Sequence, residues 1–307
     1  NYEISQIIVG KLDSKLTTNV NLSSNATDSS TILNIGGAVG EASVANISNV
    51  NANIELNATI NPSVSNTNPA LFNVAGLVAK IENGQLVENS MAAGSVNASN
   101  KNNASKTNVT TKVGGAFGDV VMANGLNGIG KINKIISNVD VNVVYPQDPK
   151  EIGSLTAGGF VGQIYNGIIT ESANLGNVCV NGSTQKSDTY VGGFVGRIDL
   201  KTSVVSNINN DVQIKNSYSV GDLELTSMFS DADSKNKAGL FVGDILYGYN
   251  SGNSKLVLRN NYTAGKYIYN STLSGETSSK YFDALYNEKV NKGGFLGGFT
   301  IDANEKI

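Results

Sequence analysis

This sequence predicts an all-β fold, a parallel β-helix (β-solenoid) built from about seven Gly-rich repeats, and three observations carry that prediction. A glycine-centred motif returns as Gly36-Gly37-Ala38-Val39-Gly40, Ala75-Gly76-Leu77-Val78-Ala79, Gly114-Gly115-Ala116-Phe117-Gly118, Gly158-Gly159-Phe160-Val161-Gly162, Gly192-Gly193-Phe194-Val195-Gly196, Gly239-Leu240-Phe241-Val242-Gly243 and Gly293-Gly294-Phe295-Leu296-Gly297. The second positions of successive motifs lie 39, 39, 44, 34, 47 and 54 residues apart, a period that marks stacked supersecondary units. The runs around them are short, rich in Val, Ile and Phe, alternate with polar residues and end at Gly or Asn, which is a strand pattern; no segment keeps a helical period.

Taken in chain order, Ile4-Ser5-Gln6-Ile7 reads as the second half of a unit without its first. From residue 36 onward each motif opens a strand. Its apolar columns are Ala38, Leu77, Ala116, Phe160, Phe194, Phe241 and Phe295, then Val39, Val78, Phe117, Val161, Val195, Val242 and Leu296, then Ala42, Ile81, Val120, Ile164, Ile198, Ile245 and Phe299. After a short turn comes a second block: Ile47-Ser48-Asn49-Val50, Val87-Glu88-Asn89-Ser90, Ile136-Ser137-Asn138-Val139, Ile169-Thr170-Glu171-Ser172, Ile214-Lys215-Asn216-Ser217 and Leu258-Arg259-Asn260-Asn261. Four of these blocks reach a glycine and another alternating run, at Gly94, Gly176, Gly221 and Gly265. Each repeat is thus strand, tight turn, strand and a loop of variable length. Units of this kind bury their apolar faces only against neighbours, so repeats starting near 36, 75, 114, 158, 192, 239 and 293 form one domain over 1–307.

Stacking turns each aligned column into a ladder of like residues. Asn49, Asn89, Asn138, Asn216 and Asn260 form the sharpest one, interrupted by Glu171; Asn tolerates left-handed backbone and passes amide hydrogen bonds between neighbours. Glu41, Lys80, Asp119, Gln163, Arg197 and Asp244 form a second. It reads as an outward ladder of surface ion pairs, with the alternative that Asp119 and Asp244 are the acid and base of a polysaccharide cleft.

Composition removes much chemistry. The chain has 307 residues, 15% of them charged, a formal charge of −3, and no clustered Lys or Arg of the kind a nucleic-acid partner requires. Histidine is absent and Cys179 is the one cysteine, which excludes a Ser-His-Asp triad, a Cys-His nucleophile, His-ligated zinc and an internal disulfide. Cys179, between Val178 and Val180, reads as a small buried thiol. No catalytic residue, metal site or cofactor is expected. No run approaches the ~20 apolar residues of a membrane-spanning helix.

Specificity in stacked arrays sits in the connections. Residues 57–71, 98–112, 144–157 and 267–292 read as the long ones, and the last carries Tyr269, Tyr281, Phe282 and Tyr286. These rings either form a contact surface for a host-cell protein, matrix or glycan ligand, or pin the loop to the wall. Asp231 and Asp233 have calcium-like spacing but lack the Gly and downstream Glu of a calcium loop. The chain opens inside a repeat and stops after Phe299 without the next block, so it is expected to be a fragment of a larger protein.

The order Gly-Gly-Phe-Val-Gly-x-Ile, then Asn-Ser, then Gly-x-Val resembles the GLUG repeat over roughly residues 32–299, most clearly at 158–180 and 191–225. The resemblance is to bacterial surface proteins, among them filamentous-haemagglutinin-like adhesins and the non-catalytic regions of IgA-specific metallopeptidases. It implies a parallel β-helix at a secreted or bacterial cell-surface location and supplies no functional residues. The expected role is non-enzymatic adhesion; the alternatives are a carbohydrate-active β-helix enzyme and a structural stalk displaying another domain.

Overall fold

The computed structural model describes residues 2–10, 14–24, 31–62, 70–101, 109–125, 128–144, 154–181, 188–201, 210–226, 236–247, 254–271, 278–281, 290–293 and 295–301. Among them every regular element is a β-strand. Strands Thr31–Gly36, Ala70–Ala75, Val109–Gly114, Leu155–Gly158, Thr189–Gly192, Asn236–Gly239 and Val290–Gly293 run into the glycine motifs and pair in chain order as a seven-stranded sheet. Every pairing in it is parallel, and Gly114, Gly158, Gly192, Gly239 and Gly293 stand opposite one another. Sequence reading assigned these strands to loops, because their Ala, Asn, Lys and Thr residues mask the inward Val74, Val113 and Val191.

Beyond the glycine turn a second ladder begins: Val39–Ser43, Val78–Gly84, Phe117–Met122, Val161–Thr170, Val195–Asp199, Val242–Tyr247 and Leu296–Ile301, each parallel to the next. The third part of each unit, such as Leu86–Asn100, pairs in the same sense with its counterparts Asn51–Pro62 and Lys131–Val144. The two ladders that flank the glycine turn approach at backbone distance. A Cβ on Gly162 would stand 2.6 Å from the carbonyl oxygen of Gly118 and 2.9 Å from the backbone of Val113, so only glycine fits there.

The phenylalanine column stacks along the ladder, with Phe160, Phe194 and Phe241 wholly buried and Phe295 partly buried at its end. Ring centroids are 4.5 Å apart for Phe160 and Phe194, 4.8 Å for Phe194 and Phe241, and 4.7 Å for Phe241 and Phe295, with interplanar angles of 4°, 2° and 16°. Those spacings are the strand separation of about 4.8 Å itself, imposed on the rings by the backbone. Phe117 belongs to the neighbouring column and meets Phe160 edge-on at 72°.

A left-handed residue turns each unit: Gln6, Asn49, Asn89, Lys134, Glu171, Asn216 and Asn260, all with φ between 49° and 55°. Asn138 is not among them. It stands opposite Ala93 in the ladder, so the sequence alignment was four residues out at this unit. The chain contains two similar tetrads, 132–135 and 136–139. Burial selects the first, since Ile132 and Ile135 are fully buried whereas Ile136 is 42% exposed. The register also lets the Ser137 hydroxyl donate to the Gly159 carbonyl at 2.8 Å.

Turning the chain strands the next backbone N–H, and the following unit satisfies it. Val50, Ile135 and Ser172 N–H donate to the hydroxyls of Ser90, Ser172 and Ser217, and Ser217 N–H donates to Asn261 Oδ1, at 3.0–3.2 Å. This polar column, one place after the left-handed residues, takes up the N–H that follows Asn49, Lys134, Glu171 and Asn216.

The connections are shorter than the sequence reading set them. Small inward residues such as Ala58, Ile60 and Ala98 continue strands that were read as loop, and Tyr267–Ser271 extends the ladder opposite Leu223–Thr226.

Phe194→Ala is expected to cost on the order of 3–5 kcal/mol in urea denaturation by opening a core cavity. A loss under about 1 kcal/mol would contradict the inward stack. Val44 is a β-branched residue at φ 51°, so Val44→Gly is expected to stabilise by about 1 kcal/mol in the same assay.

Candidate functional site

The charged column identified in the sequence is in register along the second ladder: Glu41 opposite Lys80, Lys80 opposite Asp119, Asp119 opposite Gln163, Gln163 opposite Arg197, and Arg197 opposite Asp244. Its expected outward, surface character holds only at its start. Asp119 is 7% exposed and Asp244 is fully buried. The reason is the strand preceding each glycine turn, which lays a second polar column, Asn34, Asn73, Lys112, Thr156, Tyr190 and Lys237, against the first.

Partners seven residues apart therefore meet across the turn. Asn34 Nδ2 donates to Glu41 Oε2 at 2.7 Å, Lys112 Nζ to Asp119 Oδ2 at 2.8 Å and Lys237 Nζ to Asp244 Oδ1 at 2.7 Å. Tyr190 and Arg197 make the same crossing as a cation–π contact, with the guanidinium 4.2 Å from the ring centre. Contacts between units complete the seam: Arg197 Nε lies 3.6 Å from Asp244 Oδ2, Lys112 Nζ donates to the Tyr165 hydroxyl at 2.9 Å, and Gln163 Nε2 donates to Asp199 Oδ2 at 3.3 Å.

The electrostatics describe a structural seam. Burial pulls the Lys112 ammonium down, but Asp119 and the Tyr165 hydroxyl against it more than offset this, leaving it above the ordinary lysine value. Burial raises Tyr165, and Asp119 adds to the rise; burial likewise raises Tyr190. Asp244 sits between two cations, Lys237 and Arg197. Asp119 and Asp244 are three ladder steps apart, about 14 Å at the strand spacing, against the ~5–10 Å between the two carboxylates of glycoside hydrolysis. The structure does not bring that pair together.

Of the asparagines expected to form a ladder, Asn260 Nδ2 donates to Asn216 Oδ1 at 3.1 Å. A longer amide ladder lies elsewhere: Asn57 to Asn19 at 2.9 Å, Asn97 to Asn57 at 2.7 Å and Asn142 to Asn97 at 2.9 Å. Its signal was an Asn directly before an inward apolar residue in the alternating run, Asn57-Ala58, Asn97-Ala98 and Asn142-Val143, concealed by the abundance of Asn in that region. Tyr269 and Tyr281 lie on the paired antiparallel strands Tyr267–Ser271 and Ser278–Tyr281, with Tyr269 opposite Lys280 and Tyr281 opposite Ile268. Phe282, Tyr286, Asp231 and Asp233 lie outside the described residues. Cys179 is half-buried in the ladder, its thiol raised by burial and by Glu224. Among the described residues no three His, Cys, Asp or Glu side chains are grouped to hold a metal ion, and no helix is long and apolar enough to cross a membrane.

Comparison with family models, with curated proteins and with solved structures finds no match to this chain.

Asp244→Ala is expected to destabilise by about 3–5 kcal/mol, because it takes the shared anion from the buried Lys237 and the half-buried Arg197. Glu41→Ala, at the exposed start of the column, is expected to cost under about 1 kcal/mol. Lys112, Tyr165 and Tyr190 all keep their protons more tightly folded than unfolded. Their contribution is therefore complete below their unfolded values and is lost as pH rises beyond about 10. Urea midpoints are expected to fall between pH 9 and about pH 11, and less steeply in Tyr190→Phe; an unchanged slope in that variant would contradict the assignment.

Proposed function

We propose that this chain is a β-solenoid segment of an exported bacterial surface protein, non-enzymatic, that acts in adhesion or displays an adhesive region. The observation that carries this reading is how the polar residues are used. Each acid that sequence reading could have recruited for catalysis is engaged in a ladder or across the glycine turn: Asp119 with Lys112, and Asp244 with Lys237 and Arg197. Parallel register along the ladders that flank the glycine turns and about seven glycine-rich units support the solenoid, and the resemblance of the motif to the GLUG repeat supports the surface setting.

The connections supply the adhesive side of the proposal. Each joins the end of a third-part strand, such as Pro62, Asn100, Val144, Asn181 and Thr226, to the start of the next strand in the seven-stranded sheet, such as Ala70, Val109, Leu155, Thr189 and Asn236. Val144, Asn181 and Thr226 stand opposite one another, as do Leu155, Thr189 and Asn236, so these strand ends line up along the ladder. Connections of unequal length between such ends can diverge in sequence without disturbing the stack. The connection bearing Tyr269, Tyr281, Phe282 and Tyr286 is the proposed contact region for a host-cell protein, matrix or glycan ligand.

Deletion of residues 273–288 tests this. Attachment to host cells or extracellular matrix is expected to fall while the unfolding midpoint stays unchanged. Undiminished attachment by the folded variant would remove this connection as the contact region. Release of oligosaccharides from a polysaccharide panel, abolished by Asp119→Asn, would overturn the non-enzymatic reading.

A further inference from the structure

Several of the large apolar side chains left in water, Ile136, Leu175, Tyr218 and Tyr262, gather at one corner of the wall. Two residues after the left-handed turn the ladder reads Met91, Ile136, Ala173, Tyr218 and Tyr262. Ile136 is 42% exposed, Tyr218 37% and Tyr262 55%. The two tyrosines stack with centroids 5.5 Å apart and ring planes 25° from parallel. Beside them a second column holds Leu175, Val220 and Ala264, whose N–H groups donate to Ser137, Asn174 and Ser219. Leu175 and Ala264 are exposed and Val220 is half-buried.

Nothing in the fold requires aromatic rings here. The inward positions on either side, Ser217 and Ser219, already satisfy the corner and the core, and Ala173 occupies the tyrosine column one unit earlier. An exposed aromatic stack unneeded by the core marks a contact surface.

Its rims define the chemistry of the partner. On the side of the left-handed turn stand the exposed amides of Asn216 and Asn260, with Lys215 and Arg259 next to them. On the other side stand Asn177, Asp222 and Lys266, where Asn177 Oδ1 accepts from Asp222 N–H and Asp222 Oδ1 accepts from Lys266 N–H. The rim is amide-rich, and its charges are of both signs: Lys215, Arg259 and Lys266 stand with Asp222, and the same two columns carry Glu171 and Asp140 in earlier units. The strip is two rings and a few small aliphatic groups wide. A stable protein interface takes roughly 20–30 residues a side, against the handful gathered here. A flat aromatic face bordered by hydrogen-bonding amides fits a sugar ring, whose C–H face packs on tyrosine while its hydroxyls pair with the rim.

We infer that the Tyr218–Tyr262 stack, with Asn216 and Asn260, is a binding platform for a neutral glycan on the wall of the molecule. The site goes beyond the loop reading above and holds whether or not the loops adhere.

The test uses the full chain against an immobilised panel of neutral gluco-, galacto-, manno- and N-acetylglucosamine oligosaccharides, with titration of any that are retained. The Tyr218→Ala/Tyr262→Ala double variant is expected to lose about tenfold or more in affinity at an unchanged unfolding midpoint, while Tyr218→Phe/Tyr262→Phe keeps most of it. Deletion of residues 273–288 is expected to leave glycan affinity intact, which separates this site from the proposed loop surface. Absence of any retained oligosaccharide at millimolar concentration would overturn the platform. So would equal retention by the double alanine variant, or tyrosine-dependent capture of uncharged phosphatidylcholine vesicles with no sugar bound.

Discussion

In-register parallel pairing of backbone to backbone is the constraint on which the rest of this molecule depends. It fixes one separation, about 4.8 Å, between every residue and its counterparts in the neighbouring units. Rings that would otherwise prefer offset or edge-on contact lie face to face at that distance from Phe160 to Phe295. Amides at that distance pass hydrogen bonds from Asn142 down to Asn19. Opposite charges at that distance tolerate burial, because each meets a partner along the ladder or across the turn.

Two local devices allow the chain to keep this pairing while it turns. At the glycine motif the flanking strands close to backbone contact, and a side chain at Gly162 would collide with Gly118 and Val113. At the second corner a left-handed residue bends the strand, and a side-chain oxygen from the next unit takes up the N–H that the bend exposes. The corner tolerates Lys134 and Glu171 as well as Asn, and there the following N–H is taken up by the hydroxyls of Ser172 and Ser217 as it is by Ser90 after Asn49. The cost of left-handed backbone at a non-glycine residue, about 1–2 kcal/mol, is spread over units that share their corners.

How much of this was legible in the sequence follows from which residues carry contrast. The glycine motif and its Phe, Val and Ile columns stood out against a polar background, and the pairing of Phe194 with Phe241 and of Arg197 with Asp244 follows that alignment. The strands that precede the glycines did not stand out, because their inward faces are Val and Ala among Asn, Lys and Thr. Missing them hid the facing column of Lys112, Tyr190 and Lys237, so Asp119 and Asp244 read as surface charges. Asn138 was misplaced since two tetrads of the same pattern lie side by side, and only burial of Ile132 and Ile135 distinguishes them. The Tyr218–Tyr262 stack was invisible for a different reason: two tyrosines 44 residues apart become neighbours only once the ladder is built.

Register can be measured directly at the one native cysteine. Cys179 stands opposite Glu224 in adjacent parallel strands. Nitroxide labels on Cys179 and on a Glu224→Cys variant, attached to one chain, should sit within about 10 Å of each other and show strong dipolar broadening. In-register stacking predicts that broadening, relieved when the second label is moved to an exposed position several units away, such as Asn51→Cys. Sharp, non-interacting spectra from the 179/224 pair in a folded chain would contradict the ladder on which every column described above is built.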